Sequence, residues 1–476
     1  MMFLWLLISM SVSLVTGYLF VSSFMPQQRS IFSYLLFKVS LSIGLGFGIS
    51  SCSFFIYLLL FNNLGNGFIL VDIIFLALSI LLFVYKKRES YYSLSFESTS
   101  VSALKPVMMK VVSILFVIMV IGVFFALTLK SIKTPHGYQD ATAVYNMRAR
   151  FFFRGGEQWI DAFRIVWSNP SYPLLLPGIV AGFWKYAGTD TTLVPVIVTM
   201  LFTFSTVGLL FSSLSFMRGK SQGILAAFLL LCSTIFVQCG ANQMADVPVG
   251  FFYLSTIILF CLKENFSSNY YPILILAGVT TGLAAWTKNE GILFLLSVLV
   301  ANALLVIPIK GWKTFLKEFN YFIIGLLPIL AIIIYFKTQL VPHSWVTDQG
   351  FHSMIVKLTD LSRYFVVGKM LLMKVITYNH GILILLLLYL ALLGRKANIR
   401  ESIAIKRTLL LFCFMLSGLF FVYIITPFDL DYTINPSLNR ILSQLLPSMI
   451  FVFFVIVNSP EESIESLRKF HGDCKA

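Results

Sequence analysis

Charge is what this 476-residue sequence has least of: Asp, Glu, Lys and Arg make up 12% of it, against 58% hydrophobic residues. An ordinary soluble domain carries about 25% charged residues. With a mean hydropathy of +0.89, the shortage excludes a soluble enzyme and implies an all-α polytopic membrane protein, because a helix satisfies its own backbone groups inside lipid. Cysteine pairs are lacking too. Cys52, Cys232, Cys239, Cys261 and Cys413 fall in apolar runs and Cys474 lies near the C-terminus, a spacing that suits neither zinc nor a disulfide framework. Residues 2–25 lack the basic start of a cleaved signal peptide and are too long for its apolar region, so they read as a retained first span. Internal repeats are missing as well. The spans hold almost no ionisable side chain beyond Lys38, which argues against a transporter built from inverted repeats around a mid-membrane ion path.

What the sequence does have is apolar runs. Thirteen of them, at 3–25, 31–61, 67–85, 111–129, 191–216, 223–240, 247–262, 271–287, 292–309, 319–336, 380–394, 408–426 and 441–458, come near the roughly 20 residues that cross about 30 Å of hydrocarbon. About thirteen transmembrane helices are therefore expected. Gly44, Gly46 and Gly48 in the second run either kink it or permit close packing. The net charge of +15 is scattered over the loops 86–110, 217–222, 310–318 and 394–407 and the tail. That pattern reads as a topology signal rather than a nucleic-acid surface, and it makes those loops cytoplasmic. Alternation then places residues 130–190, 241–246, 288–291, 337–379 and 427–440 on the outer side. Three parts follow: residues 1–110 with three helices and a cytoplasmic loop, a core over 111–340 that includes the outer loop 130–190, and residues 341–476.

Ionisable residues collect at the outer ends of the spans. In YQDATAVYNMRARFFFRGG (138–156), Asp140 suits a helix cap or first turn, and Arg148, Arg150 and Arg154 follow on an amphipathic helix of the kind that lies in a membrane interface. As a cap alone Asp140 needs no further role. SNPSYPLLLP (168–177) forces stiff, extended backbone and reads as a site wall or a connector. Asp246 opens a helix in ANQMADVPVGFF (241–252), Lys288 and Glu290 share the turn TKNEG (287–291), and Asp429, Asp431 and Arg440 precede the last span. Arg440 at a helix start would oppose the dipole, so a nearby anion explains it better. Arg150 and Arg154 are expected to meet lipid headgroups, with Arg148 free to see substrate.

Two separated carboxylates, Asp140 and Asp246, and three cations, Arg148, Lys288 and Arg440, at one membrane depth suit transfer from a phosphate-linked lipid donor. The leaving phosphate needs cations rather than a general acid, and the acceptor hydroxyl needs a base. A lipid-linked-sugar flippase or permease, and a glycan polymerase or ligase, remain open on the same residues.

These motifs carry a resemblance. D-A-T-A-V-Y-N-M-R-A-R from Asp140, N-P-S-Y-P-L-L-L-P, M-A-D-V-P-V-G-F-F, T-K-N-E-G and R-I-L-S-Q-L-L-P from Arg440 to Pro447, in this order over residues 130–450, resemble the GT-C glycosyltransferases. Most similar is the glycosyltransferase family 39 type, the protein O-mannosyltransferases and aminoarabinose transferases that use polyprenyl-phosphate sugars. The resemblance implies a GT-C core to which the first three spans are an addition. It also implies a catalytic base at Asp140 for an inverting transfer, Asp246 assisting or orienting the acceptor, and Lys288 and Arg440 holding the donor phosphate. Implied partners are the polyprenyl-phosphate sugar, membrane lipid and an acceptor protein, lipid or polysaccharide, in a bacterial inner membrane with the site on its non-cytoplasmic face. Gln139 stands where the family has the first of two adjacent acids. A divalent metal is a candidate cofactor only, with His343 and His352 in PHSWVTDQGFH as its candidate ligands.

Overall fold

The computed structural model describes residues 1–26, 32–87, 106–165, 168–265, 270–341, 348–378, 381–396 and 402–464. Among them there is no strand, only an isolated bridge between Arg395 and Val457. The helices are α1 (Met2–Phe24), α2 (Phe32–Phe61), α3 (Gly67–Lys87), α4 (Pro106–Lys133), α5 (Asn146–Arg154), α6 (Leu175–Ala187), α7 (Leu193–Met217), α8 (Lys220–Leu231), α9 (Thr234–Ala241), α10 (Asp246–Asn265), α11 (Ile273–Thr287), α12 (Asn289–Lys310), α13 (Trp312–Tyr335), α14 (Phe351–Thr359), α15 (Leu361–Thr377), α16 (Ile382–Leu393), α17 (Ile403–Ile425) and α18 (Leu430–Ile456).

Among the described residues the thirteen apolar runs are helical, with 223–240 divided between α8 and α9, but fewer of these helices can cross a membrane alone. Among the described residues ten are long and apolar enough, and twelve if each bent pair counts as one span. One bent pair is α8 with α9, at 67°; the other is α15 with α16, at 61°. α11 has fifteen residues, about 22 Å at 1.5 Å per residue, which is short of the hydrocarbon thickness.

Inside lipid the hydrophobic effect does not hold helices together, so close contact between small residues does. Gly46 supplies one such contact: a Cβ there would lie 2.0 Å from the Ser13 carbonyl oxygen of α1. α2 runs unbroken through its glycines, which therefore serve packing and not a kink. It lies against α1, α6 and α7, so α2 is embedded in the bundle, whereas α4 sits at its edge with 11% of its most apolar stretch buried. α10 is the central helix, with that whole stretch buried.

The two ends of the bundle differ. At one end Arg218 pairs with Glu462 at 2.9 Å, and Lys310 with Glu264 at 2.9 Å and Glu318 at 3.1 Å. Arg218 and Lys310 come from the basic loops 217–222 and 310–318, which lie at this end. Asp140, Asp246, Lys288 and Arg440 share the other.

Candidate active site

The segment after α4 turns back over the bundle. Gly137, with a φ of +76°, allows a turn that a side chain would strain, and Tyr138 N donates to Asn242 O at 3.1 Å. A π-helical turn over Ala141–Tyr145 then leads into α5. Gln243 fastens this segment: its Nε2 donates to Pro135 O at 3.0 Å, and its Oε1 accepts from Asn146 Nδ2 at 2.9 Å. The Asp140 side chain makes no capping bond; it binds Arg440.

Arg440 comes from the middle of α18, not from a helix start. Asp429 caps α18, its Oδ1 accepting from Tyr432 N at 2.9 Å. The close approach of α18 to α10 has a cause: a Cβ on Gly250 would lie 2.8 Å from Gln444 O. One turn above this contact, Asp246 faces Arg440 and Gln444. Asp246 Oδ2 accepts from Arg440 Nη2 at 2.9 Å and Nε at 3.3 Å, and Oδ1 from Gln444 Nε2 at 2.8 Å and Lys288 Nζ at 3.1 Å. Lys288 also pairs with Glu290 at 3.1 Å.

A continuous chain of charge results, Asp140 to Arg440 to Asp246 to Lys288 to Glu290, drawn from four separate segments. Its exposure is graded. The Asp246 and Lys288 side chains are 0% and 4% exposed, those of Asp140 and Arg440 28% and 27%. Lys288 therefore does not face lipid headgroups. Burial opposes its charge, yet Asp246 and Glu290 outweigh that and hold the ammonium well above the ordinary lysine range. Arg440 binds through Nε and Nη2, and Nη1 has no partner among the described residues. The open end of the chain thus offers one carboxylate and one guanidinium edge side by side.

The other arginines lie elsewhere. Arg148 is fully buried. Nη1 donates to Tyr172 O at 2.7 Å, and Nη2 to Ser168 O at 2.6 Å and to Asn169 O, so it ties the proline-rich segment to α5. Asn169 turns its carbonyl inward with a φ of +51°. Burial pushes the Arg148 guanidinium down to about 10. Arg150 and Arg154, expected among lipid headgroups, both bind Asp190. His352 is exposed on α14 and His343 lies outside the described residues; among those described, no group of three His, Cys, Asp or Glu is placed to hold a metal ion.

Glu290 stood in the TKNEG turn without a role, and Gln444, Gln243 and Asn146 were missed. The signal for Gln444 was its position four residues after Arg440, hence on the same helical face. An apolar cavity of about 430 Å³ lies between α1, α2, α3, α11 and α13, and no residue of the charge chain lines it. It reaches from Phe24, Leu82 and Ile275 at the far end to Ile56, Leu283 and Ile332 toward the Asp140 end.

Residues 171–336 match the family model described as dolichyl-phosphate-mannose-protein mannosyltransferase. The resemblance read from the motifs is thereby borne out over that stretch, which lies within a multi-pass membrane protein. Asp246, Lys288 and Glu290 lie inside the matched stretch, and Asp140 and Arg440 outside it. No curated protein and no solved structure matches the chain.

Proposed function

We propose that this protein transfers one sugar from a polyprenyl-phosphate carrier to a hydroxyl of an acceptor, with inversion at the anomeric carbon and Asp140 as general base. The carrying observation is a single guanidinium, Arg440, shared between the carboxylates of Asp140 and Asp246. Support for a lipid carrier comes from the family match and from the apolar cavity between α1, α2, α3, α11 and α13, of a size and lining suited to part of an isoprenoid chain.

The donor is a phosphodiester monoanion, and its phosphate meets the free Nη1 of Arg440. A phosphate that engages Arg440 competes with Asp140 for it, which leaves the carboxylate able to accept a proton. The acceptor O–H proton passes to Asp140 and the acceptor oxygen bonds to the anomeric carbon. The bond from that carbon to the phosphate oxygen breaks, and its electron pair stays on the phosphate. Polyprenyl phosphate leaves with one more negative charge, which Arg440 is placed to stabilise without a general acid. Asp246, buried and held by Lys288 and Gln444, is a positioning residue that fixes Arg440, and Arg148 is a positioning residue for the wall at 168–172. The non-cytoplasmic face is supported by the basic loops 217–222 and 310–318 at the opposite end of the bundle.

The test uses purified protein in nanodiscs with a synthetic polyprenyl-phosphate sugar of known anomeric configuration and a hydroxyl acceptor. A glycoside of the opposite configuration is expected; a retained configuration overturns the mechanism. A lipid-linked-sugar permease is the second reading, favoured by the 67° break between α8 and α9. It predicts translocation of the lipid-linked sugar in liposomes with no glycoside formed.

A further inference from the structure

We propose that Lys337 is a second cation that receives the donor phosphate; this rests on the reading that the donor is a phosphate-linked lipid. Lys337 lies just beyond α13 in the π-helical turn Phe336–Leu340 and is half-buried. Its Nζ donates to Asn289 Oδ1 at 2.7 Å and to Ser171 O. Asn289 adjoins Lys288, and Ser171 adjoins Tyr172, whose carbonyl holds Arg148. The ammonium thus stands on the two segments that frame the charge chain.

Charge distinguishes Lys337 from its neighbours. Asp140, Asp246 and Glu290 against Lys288 and Arg440 leave the chain one net negative charge, which opposes the approach of a phosphodiester. Further positive charge must come from close by. Arg150 and Arg154 are matched by Asp190. Arg148 has no carboxylate, but it is sealed from solvent and its bonds go to backbone carbonyls. Lys337 is partly accessible and, among the described residues, both its acceptors are neutral oxygens. An ammonium has three N–H donors, so two fix it in place and the third remains for a ligand while the charge stays uncompensated.

The site needs this from the reaction itself. The leaving phosphate gains a charge as the glycosidic bond breaks, and Arg440 already shares its charge between two carboxylates. A cation not committed to a carboxylate is the group that responds to that gain.

The test measures binding of polyprenyl phosphate, and of uncharged polyprenol as its control, to the full-length protein in nanodiscs. Lys337→Gln is expected to weaken polyprenyl phosphate binding roughly ten- to hundredfold, as loss of a charge-assisted hydrogen bond does, and to leave polyprenol binding unchanged. Lys337→Arg is expected to restore most of the affinity. Asn289→Asp, which keeps Lys337 and sets a carboxylate against it, is expected to weaken phosphate binding as well and serves if the first variant does not fold. Unchanged phosphate affinity in Lys337→Gln and Asn289→Asp overturns the role of Lys337 and leaves the transferase reading standing. Equal losses for phosphate and polyprenol make Lys337 a strut between Ser171 and Asn289 and also overturn it. Wild-type protein that binds polyprenyl phosphate no more tightly than polyprenol overturns both.

Discussion

Replacing Lys288 by methionine keeps an apolar stem of similar length and removes one buried charge. The Lys288 ammonium is 4% exposed and lies 3.1 Å from both Asp246 and Glu290. Removing one partner of a buried ion pair costs about 3–5 kcal/mol, because the other charge is left without compensation. Asp246 would keep Arg440 and Gln444, whereas Glu290, whose Oε2 is already buried without a hydrogen-bond partner, would lose its cation. The expected cost is therefore about 3–5 kcal/mol. Unfolding by SDS in mixed micelles measures it. Asp246→Asn combined with Lys288→Met should destabilise by less than the sum of the single changes, with a coupling of about 1–3 kcal/mol. Because the folded-state value of Lys288 is raised above the ordinary 10.5, its contribution is complete below that value and is lost only as pH rises through the higher folded one. The difference between wild type and Lys288→Met should accordingly stay flat from about pH 6 to pH 9. A Lys288→Met variant within about 0.5 kcal/mol of wild type, the range of an ordinary surface change, refutes the buried charge chain.

Other substitutions probe the scaffold of the site. Gly250→Val forces α10 from α18 where a Cβ already lies 2.8 Å from Gln444 O; it should cost about 1–3 kcal/mol and lower transfer, measured by the same SDS titration and by product formation. Gln243→Leu removes both bonds that fasten the Asp140 segment and should reduce transfer more than it reduces donor binding, read as a fall in kcat with KM little changed. Arg148→Met leaves the carbonyls of Ser168 and Tyr172 without their donor; a loss of about 2–4 kcal/mol is expected, since hydrogen bonds to charged groups are worth about 1.5–3 kcal/mol each, and proteolysis near 168–172 should quicken.

Helices were legible because apolar runs and their polar punctuation are local, and every run but 223–240, which is divided between two, falls on one helix among the described residues. Their number as spans was less so. The break between α8 and α9 falls at Cys232 and Ser233, where Ser233 caps the second helix by accepting from Phe236 N at 3.3 Å; in a continuous apolar run a serine carries little warning. α6 was missed because SNPSYPLLLP reads as stiff connector, yet Pro177 stands in the first turn of Leu175–Ala187, where proline is tolerated, and Gly188 closes the helix with a φ of +72°. Asp140, Asp246, Lys288 and Arg440 were legible as polar residues at one depth. Their pairing was not, since 300 positions separate Asp140 from Arg440, and they meet only because α10 packs on α18 and Gln243 fastens the Asp140 segment beside them. Arg148 shows the limit of residue type: a lone arginine on an amphipathic helix looks like an anion site until its carbonyl partners are seen. Lys337 shows the reverse, a lysine at a span end that looks like a snorkelling anchor.

The central claim is that Asp140 takes the proton of the acceptor hydroxyl, and the most direct test is single-turnover transfer by Asp140→Asn with donor bound at saturation. Asparagine keeps the shape and a hydrogen-bond acceptor for Arg440 but cannot serve as the base. A rate lower by about 10²–10⁴, the usual share of general base catalysis, with donor affinity kept or improved because Arg440 is released, is the predicted result. Transfer at the wild-type rate with donor fully bound would contradict the account.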